Sequence, residues 1–343
     1  MPAAPAPADV LRRIAFLLER SRASTYKVKA FRGAAEAIGS LSDDELTTLA
    51  SSGKLTSLPG VGTSTASVIE AALRGETPPY LADLEEREGA PLAHGGQELL
   101  AQLRGDLHLH SSWSDGGSPI NEMVMTAIEL GREYIALTDH SPRLTVANGL
   151  SPERLRKQLG VLDQIEAVLP DDFRLLRGIE VDILLDGGLD QEDELLGELD
   201  VRVASVHSKL RQPAAEMTAR MITAIQNPRT TILGHCTGRL VTGGRGTRPQ
   251  SQFDHRRVFE ACRDHQVAVE INSRPERQDP PDELIELALE VGCHFSIDTD
   301  AHAPGQLDFL QLGAERAAAL GVPAERIITT WPAEQVVAFA DKS

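Results

Sequence analysis

Apolar residues recur at helical spacing along the first part of the chain and in short strand-like runs along the rest. Val10, Leu11, Ile14, Leu17 and Leu18 share one helical face and predict a helix over residues 10–22. A second helix is expected over 29–38. Ser42-Asp43-Asp44-Glu45 has the form of a capping box that opens a third. Leu58-Pro59-Gly60-Val61-Gly62 reads as a tight turn before a helix over 63–73. A short acidic helix, 80–88, sits in a stretch punctuated by Pro78, Pro79, Pro91, Gly95 and Gly96. From residue 106 the period changes. Strands are expected at 106–110, 134–138, 175–181, 201–206, 230–234, 267–271 and 294–297, with amphipathic segments at 122–130, 152–168, 214–226 and 283–291. Strands alternating with helices predict an α/β fold, a distorted (β/α)7 barrel one unit short of the eightfold type, behind a small all-α domain. The expected boundaries are a disordered Ala/Pro-rich lead-in at 1–8, a helical domain at 9–76, a linker at 77–104 and the barrel at 105–343.

Composition narrows the class without changing that outline. A hydrophobic content of 41% and a charged content of 25% are those of a water-soluble globular protein. No apolar run approaches the roughly 20 residues a membrane helix needs. Cys236, Cys262 and Cys293 have no paired spacing, which argues against a disulfide framework and for a cytoplasmic location. The formal net charge of −17 excludes general adhesion to nucleic acid. Charge is uneven, however: residues 10–33 hold seven basic side chains against one acid, Glu19. That segment can meet phosphates although the molecule as a whole repels them. The glycines of the 58–62 turn expose backbone N–H groups at a helix start, a second phosphate-binding feature.

The chemistry lies at the strand ends. Gly105-Asp106-Leu107-His108-Leu109-His110 places two histidines at i and i+2, on one side of a strand, and Asp115 follows in a Ser-Asp-Gly turn. Thr138-Asp139-His140 ends the second strand and Gly178-Ile179-Glu180-Val181-Asp182 the third. Ser205-Val206-His207, Gly234-His235 and Asp298-Thr299-Asp300-Ala301-His302 close later ones. Barrel enzymes build their sites at this face, so residues nearly 200 positions apart converge. Imidazole and carboxylate ligands suit Zn²⁺, Mn²⁺ or Fe better than Mg²⁺. Nine such ligands are too many for one ion and suit three, provided one carboxylate bridges two of them. Asp139 and Asp182 are expected to orient ligands, and Cys236 to act as a small buried hydrophobe. His94, His255, His265 and His294 match no motif and are left outside the site.

These motifs (Asp-Leu-His-Leu-His, Ser-Asp-Gly, Thr-Asp-His, Gly-Ile-Glu, Ser-Val-His, Gly-His and Asp-Ala-His) resemble the PHP, or polymerase and histidinol phosphatase, superfamily over residues 105 to about 312. Gly234-His235-Cys236-Thr237-Gly238-Arg239 and Glu270-Ile271-Asn272-Ser273-Arg274-Pro275-Glu276-Arg277 are similar to the PHP domain of bacterial family X DNA polymerases. The turn at 58–62, with Tyr26 to Ala35 before it, resembles the helix-hairpin-helix DNA-binding domain of the same polymerases. The resemblance implies three divalent ions. His108, His110, Glu180 and Asp300 would hold the first, Glu180 with His207 and His235 the second, and Asp115, His140 and His302 the third. It further implies hydrolysis of phosphate esters, with Glu180, Asp300 and His207 in the reacting centre. Arg239, Arg274 and Arg277 are expected as phosphate clamps, because guanidinium forks fit phosphate oxygens. Lys27, Lys29, Arg32, Gly60, Val61 and Gly62 are expected to contact DNA. The partner would be DNA with ends or gaps, with phosphate as substrate or product, and the activity a 3′–5′ exonuclease, end-processing phosphatase or AP endonuclease. A small-molecule phosphatase of the histidinol-phosphate type and a non-catalytic DNA-binding scaffold with structural metals are the alternatives. The interval between about residues 88 and 105 is far too short for a polymerase palm, so polymerase activity is not expected.

Overall fold

A computed structural model describes residues 5–244 and 246–342. The chain divides into two compact units, one ending at Pro91 and one beginning at Leu92. The stretch expected as a linker is shared between them. Of the expected lead-in, residues 1–4 lie outside the described residues, and helix α1 already opens at Pro7, where a proline at the first turn sacrifices no helical hydrogen bond.

The helical unit comprises α1 (Pro7–Arg20), α2 (Thr25–Gly39), α3 (Asp43–Ser51), α4 (Thr63–Leu73) and α5 (Pro79–Glu88). Leu11, Ile14 and Leu17 are fully buried against Phe31, Ala34, Ile38 and Ile69. The Ser42–Glu45 capping box forms at the start of α3. Between α3 and α4, Gly60 adopts φ +85°, and a Cβ there would sit 3.2 Å from the carbonyl oxygen of Gly33. Glycine therefore serves both the turn and the close pass over α2. Thr65 accepts the Gly62 N–H at 2.9 Å and locks the turn onto α4.

The second unit begins with a single turn, α6 (Gln97–Leu100), and then alternates strictly. Its strands are β1 (Gly105–Leu109), β2 (Tyr134–Leu137), β3 (Arg174–Asp182), β4 (Val201–Ser205), β5 (Ile232–Leu233), β6 (Ala268–Asn272) and β7 (Phe295–Asp298). Each is followed by a helix: α7 (Ile120–Glu129), α8 (Pro152–Glu166), α9 (Asp193–Leu196), α10 (Ala214–Gln226), α11 (His255–Asp264), α12 (Asp282–Val291) and α13 (Leu310–Ala319); α14 (Ala333–Ala340) ends the unit. All adjacent strands pair in parallel, in the order β1 to β7. At the C-terminal rim the ring closes through His110 N–H to Ala301 O at 2.8 Å and Asp300 N–H to His108 O at 2.8 Å.

One irregularity sets the depth of the site. Asp106 pairs with Ile135 and Leu109 with Leu137, so Leu107 and His108 together oppose the single residue Ala136. This is a β-bulge, and it turns two successive side chains inward. Leu107 joins an apolar floor with Tyr134, Leu176, Val203 and Ile232, sealed from below by Ile328 and Val336. His108 lies above it among polar groups.

Candidate metal centre

Above the floor, the inward positions of the strands change from apolar to polar. Glu180 on β3 is the hub. One of its oxygens, Oε1, lies 2.9 Å from His235 Nε2 and 3.2 Å from His207 Nε2. The other, Oε2, lies 2.8 Å from His140 Nδ1, 3.3 Å from His108 Nε2 and 3.5 Å from His110 Nε2. Asp300 Oδ1 is 3.4 Å from His110 Nε2, and Asp115 Oδ1 is 3.5 Å from His140 Nε2 and 3.4 Å from His302 Nε2. All nine residues singled out from the sequence thus meet in one place.

Four groups bring ligand atoms close enough to share an ion: His108–Glu180–His235, His108–His110–Asp300, His140–Glu180–His207, and His110–Asp115–His140–His302. Three details differ from the pattern the resemblance implies. His140 reaches Glu180 and groups with His207 as well as with Asp115, His108 groups with Glu180 and His235, and His110 joins the Asp115 group. Exposure rises across the centre, from 1% at the Glu180 side chain to 20% at His302 and 29% at Asp115. The Asp115 side faces water.

The donor set fits divalent ions. His108 Nε2, His110 Nε2, His207 Nε2 and Glu180 Oε2 are buried and make no hydrogen bond, a costly state for polar atoms with no other function. Two ligands bound at about 2.1 Å to a tetrahedral ion stand roughly 3.4 Å apart, and the observed separations bracket that spacing.

Charge in this dry pocket follows from its neighbours. Burial works to raise Glu180, but His108, His140 and His207 hold it well below the usual carboxylate range. Burial works to lower His207, yet Glu180 and Asp182 raise it to about 9. For His110, burial and the adjacent His302 and His140 act together and lower it to about 3. His110 is therefore neutral, as a metal ligand must be.

The supporting residues explain how the ligands are aimed. Asp182 accepts the His207 backbone N–H at 3.1 Å and lies 3.3 Å from its Nδ1. Asp139 accepts the Ser111 hydroxyl at 2.6 Å, the Gln158 amide at 2.6 Å and the Ser114 hydroxyl, which ties down the loop carrying Asp115. Asp300 adopts φ +52°, in the left-handed region. It is held there by its own N–H to His108 O at 2.8 Å and by Arg277 Nε, 2.8 Å from Oδ2. Arg220, fully buried, donates to Leu184 O at 2.8 Å and Ser208 O at 2.8 Å, and so braces the loop after β3 against the one carrying His207.

The arginines expected as phosphate clamps each hold a neighbouring group. Arg277 binds Asp300; Arg274 lies 2.8 Å from His302 Nδ1 and donates to Asp300 O at 3.0 Å. Arg239 donates to Gln278 O at 3.0 Å and Arg277 O at 3.2 Å, which makes it a loop brace. Each guanidinium holds these partners through part of its fork of N–H groups. Arg32 is likewise taken, in a two-pronged pair with buried Glu19 at 2.9 and 2.7 Å, whereas Lys27 and Lys29 are exposed. Gly60 and Gly62 are exposed in the turn, but the Val61 side chain is buried, so only its backbone is available.

The Cys236 thiol is buried and pushed well up by burial. His294 packs edge-on against Trp331 and Phe339, and His255 against Phe253, away from the centre. Two residues that the motifs left without a role belong to the site's support. Glu270 Oε1 stands 2.6 Å from His108 Nδ1. Asp279 accepts the Thr237 hydroxyl at 2.7 Å and the Arg239 N–H at 3.2 Å, just beyond His235. For Glu270 a signal existed: with Asn272 it makes a polar i, i+2 pair inside an apolar strand, and buried polar pairs need partners.

Comparison with known proteins finds relatives of both units. Residues 106–274 match the family described as PHP domain, and residues 2–78 the one described as helix-hairpin-helix domain. The DNA polymerase/3′-5′ exonuclease PolX of Bacillus subtilis is 38% identical over 244 residues, which cover 71% of this chain and 42% of that protein. The chain thus spans about two-fifths of that relative's length. A probable phosphatase of Aliivibrio fischeri is 28% identical over 243 residues, 66% of this chain and 88% of that one. A solved histidinol phosphate phosphatase of Lactococcus lactis, complexed with zinc, L-histidinol and phosphate, superposes with a TM-score of 0.46 at 19% identity, over 64% of this chain and 92% of that one. The interval between the two matched segments leaves no room for a palm, since a domain needs at least about 50 residues.

Proposed function

We propose that this chain, which belongs to the PHP superfamily through its barrel and carries a helix-hairpin-helix domain ahead of it, is a metal-dependent phosphoesterase acting on DNA, as a 3′–5′ exonuclease or an end-processing phosphatase or AP endonuclease. The observation that carries the reading is the set of unpartnered imidazole and carboxylate atoms around Glu180 at metal-ligand spacing. His108, His110, Glu180 and Asp300 would hold one ion, Glu180 with His207 and His235 a second, and Asp115, His140 and His302 a third, each Zn²⁺, Mn²⁺ or Fe. Bound divalent ions supply Lewis acidity, which activates water and neutralises charge on a phosphate.

The protein's own groups do the rest. Glu180, excluded from solvent, keeps its negative charge and spaces the histidines around it. Arg274 and Arg277 fix His302 and Asp300, so their part in the reaction is positioning. A substrate phosphate arrives on the open Asp115–His302 side. Lys27, Lys29 and the backbone of the 60–62 turn hold the DNA, by charge and by N–H groups at the start of α4. No helix among the described residues is long and apolar enough to cross a membrane.

The probable phosphatases, matched over nearly their whole length, favour a second reading: hydrolysis of a small phosphate monoester such as histidinol phosphate. One experiment separates the two. Metal-stripped protein is reloaded with Mn²⁺ or Zn²⁺ and given 5′-labelled single-stranded or recessed DNA, and in parallel histidinol phosphate. A ladder of shortened DNA, abolished by His108→Ala, is expected. Phosphate release from histidinol phosphate with the DNA left intact would replace the first reading by the second, and His108→Ala hydrolysing DNA like the wild type would remove the barrel from the chemistry.

A further inference from the structure

Glu270 touches two histidines of the Glu180 pocket at once. It stands on β6, fully buried, and uses both carboxylate oxygens. Oε1 is 2.6 Å from His108 Nδ1. Oε2 accepts the backbone N–H of His235 at 2.5 Å and the side-chain amide of Asn272 at 3.2 Å. Asn272 in turn lies 3.4 Å from Asp300 Oδ2. The His235 backbone stands at φ +21°, outside the favoured regions for a residue with a Cβ, and the bond to Glu270 is what its N–H has to hold it there.

From this geometry we propose that Glu270 is the positioning residue that makes His108 and His235 metal ligands together: it fixes the proton of His108 on Nδ1, leaving Nε2 free to bind, and anchors the backbone that presents the His235 ring. The inference rests on the metal-centre reading above and goes beyond it by naming what sets the tautomer. Three donors converge on the two Glu270 oxygens, and a carboxylate can accept from all of them. An amide of the same shape can accept at one end only, because the other end is itself a donor. In Glu270→Gln, one orientation turns the NH2 toward His108 Nδ1; the imidazole then carries its proton on Nε2, where the ion should bind. The opposite orientation sets the NH2 against the His235 N–H and the Asn272 amide and releases the His235 loop. Either way a ligand of the His108–Glu180–His235 group is lost. The Asp115, His140 and His302 ligands, which Glu270 does not touch, are spared.

The test is a metal count on the full chain. Wild type and Glu270→Gln are stripped with chelator, reloaded with Zn²⁺, and assayed for bound ion by elemental analysis and for affinity by competition with a chromophoric chelator; the thermal midpoint of each metal-free protein is measured alongside. The expected result is three ions on the wild type and two tightly bound ones on the variant, the affinity of the affected site falling about 10- to 100-fold, with the metal-free midpoints within a few degrees of each other. An unchanged ion count and affinity in Glu270→Gln would overturn the proposal while leaving the metal centre standing. A variant that loses all its ions and melts far earlier when metal-free would reduce Glu270 to a folding residue. Wild type that takes up no Zn²⁺ would remove the metal-centre reading, and this inference with it.

Discussion

His207 shows how single residues link the centre to pH. In the metal-free protein it keeps its proton to about pH 9, because Glu180 and Asp182 outweigh the effect of burial. The pair's contribution to stability is therefore full below the ordinary histidine range and is lost as pH rises through about 9. Metal binding has the opposite slope, since an ion must displace that proton. Metal affinity is expected to rise by up to about tenfold per pH unit from 7 to 9, with proton release detectable by titration calorimetry in buffers of different ionisation enthalpy. Affinity independent of pH over that range would show that His207 is not a ligand. Gly234 makes a second residue-scale test. A Cβ there would lie 2.4 Å from Ser205 Oγ and 2.7 Å from Val203 Cγ1, inside the barrel. Gly234→Ala should cost about 1–3 kcal/mol in denaturant unfolding and disturb His235 next to it. At this scale the sequence was informative about residue types and poor about directions. Histidines and carboxylates at strand ends announce themselves. That Arg277 would turn to Asp300, or Arg32 to Glu19, depends on which charge lies nearest in space, and no spacing along the chain encodes that.

Elements were legible in proportion to how far one face is buried. Helix α1 and strand β3 were evident because a continuous apolar pattern marks them. Helix α11, between β5 and β6, was not anticipated: only Val258, Phe259 and Cys262 of its residues are buried, and apart from Ala261 the rest is charged or polar. Strand β5 is only Ile232–Leu233: Thr230 turns back to Asn227 O, while Thr231 and Gly234 at its ends still bond Arg202 O and Ala204 O of β4. In the helical unit, α2 begins at Thr25, before the expected start, which places Lys27 and Lys29 on its first turns. Replacing both lysines by alanine should weaken DNA binding and reduce the slope of log K against log salt by about 0.7–0.9 per lysine. An unchanged slope, measured by fluorescence anisotropy, would move the DNA contact off α2.

For the whole molecule, charge and architecture divide the labour. A net charge of −17 opposes a polyanion, yet the helical unit concentrates basic residues in 10–33. Each unit has its own apolar core. Residues 92–343 produced alone should therefore fold and bind divalent ions; with the DNA contacts proposed for the helical unit removed, they should bind DNA at least about tenfold more weakly than the full chain at physiological salt. Equal DNA affinity in the two would mean that the barrel holds DNA by itself. The closed barrel was readable from alternation; the particular backbone bonds that close it, between β1 and the residues just after β7, were not, since those partners lie far apart in sequence.

The bulge in β1 has one more consequence. A regular strand offers an inward side chain only every second residue, so the layer that seals a barrel and the layer that does chemistry would stand about 6.6 Å apart. By seating Leu107 and His108 side by side, the extra residue compresses that interval and separates two kinds of selection on neighbouring codons. Leu107 answers to the seal, and Leu107→Ala should cost about 2–5 kcal/mol as a cavity. His108 answers to the ion. Losing one residue between Asp106 and Leu109 would merge the two duties in a single position, so in this barrel the length of the first strand, as much as its letters, carries the catalytic information.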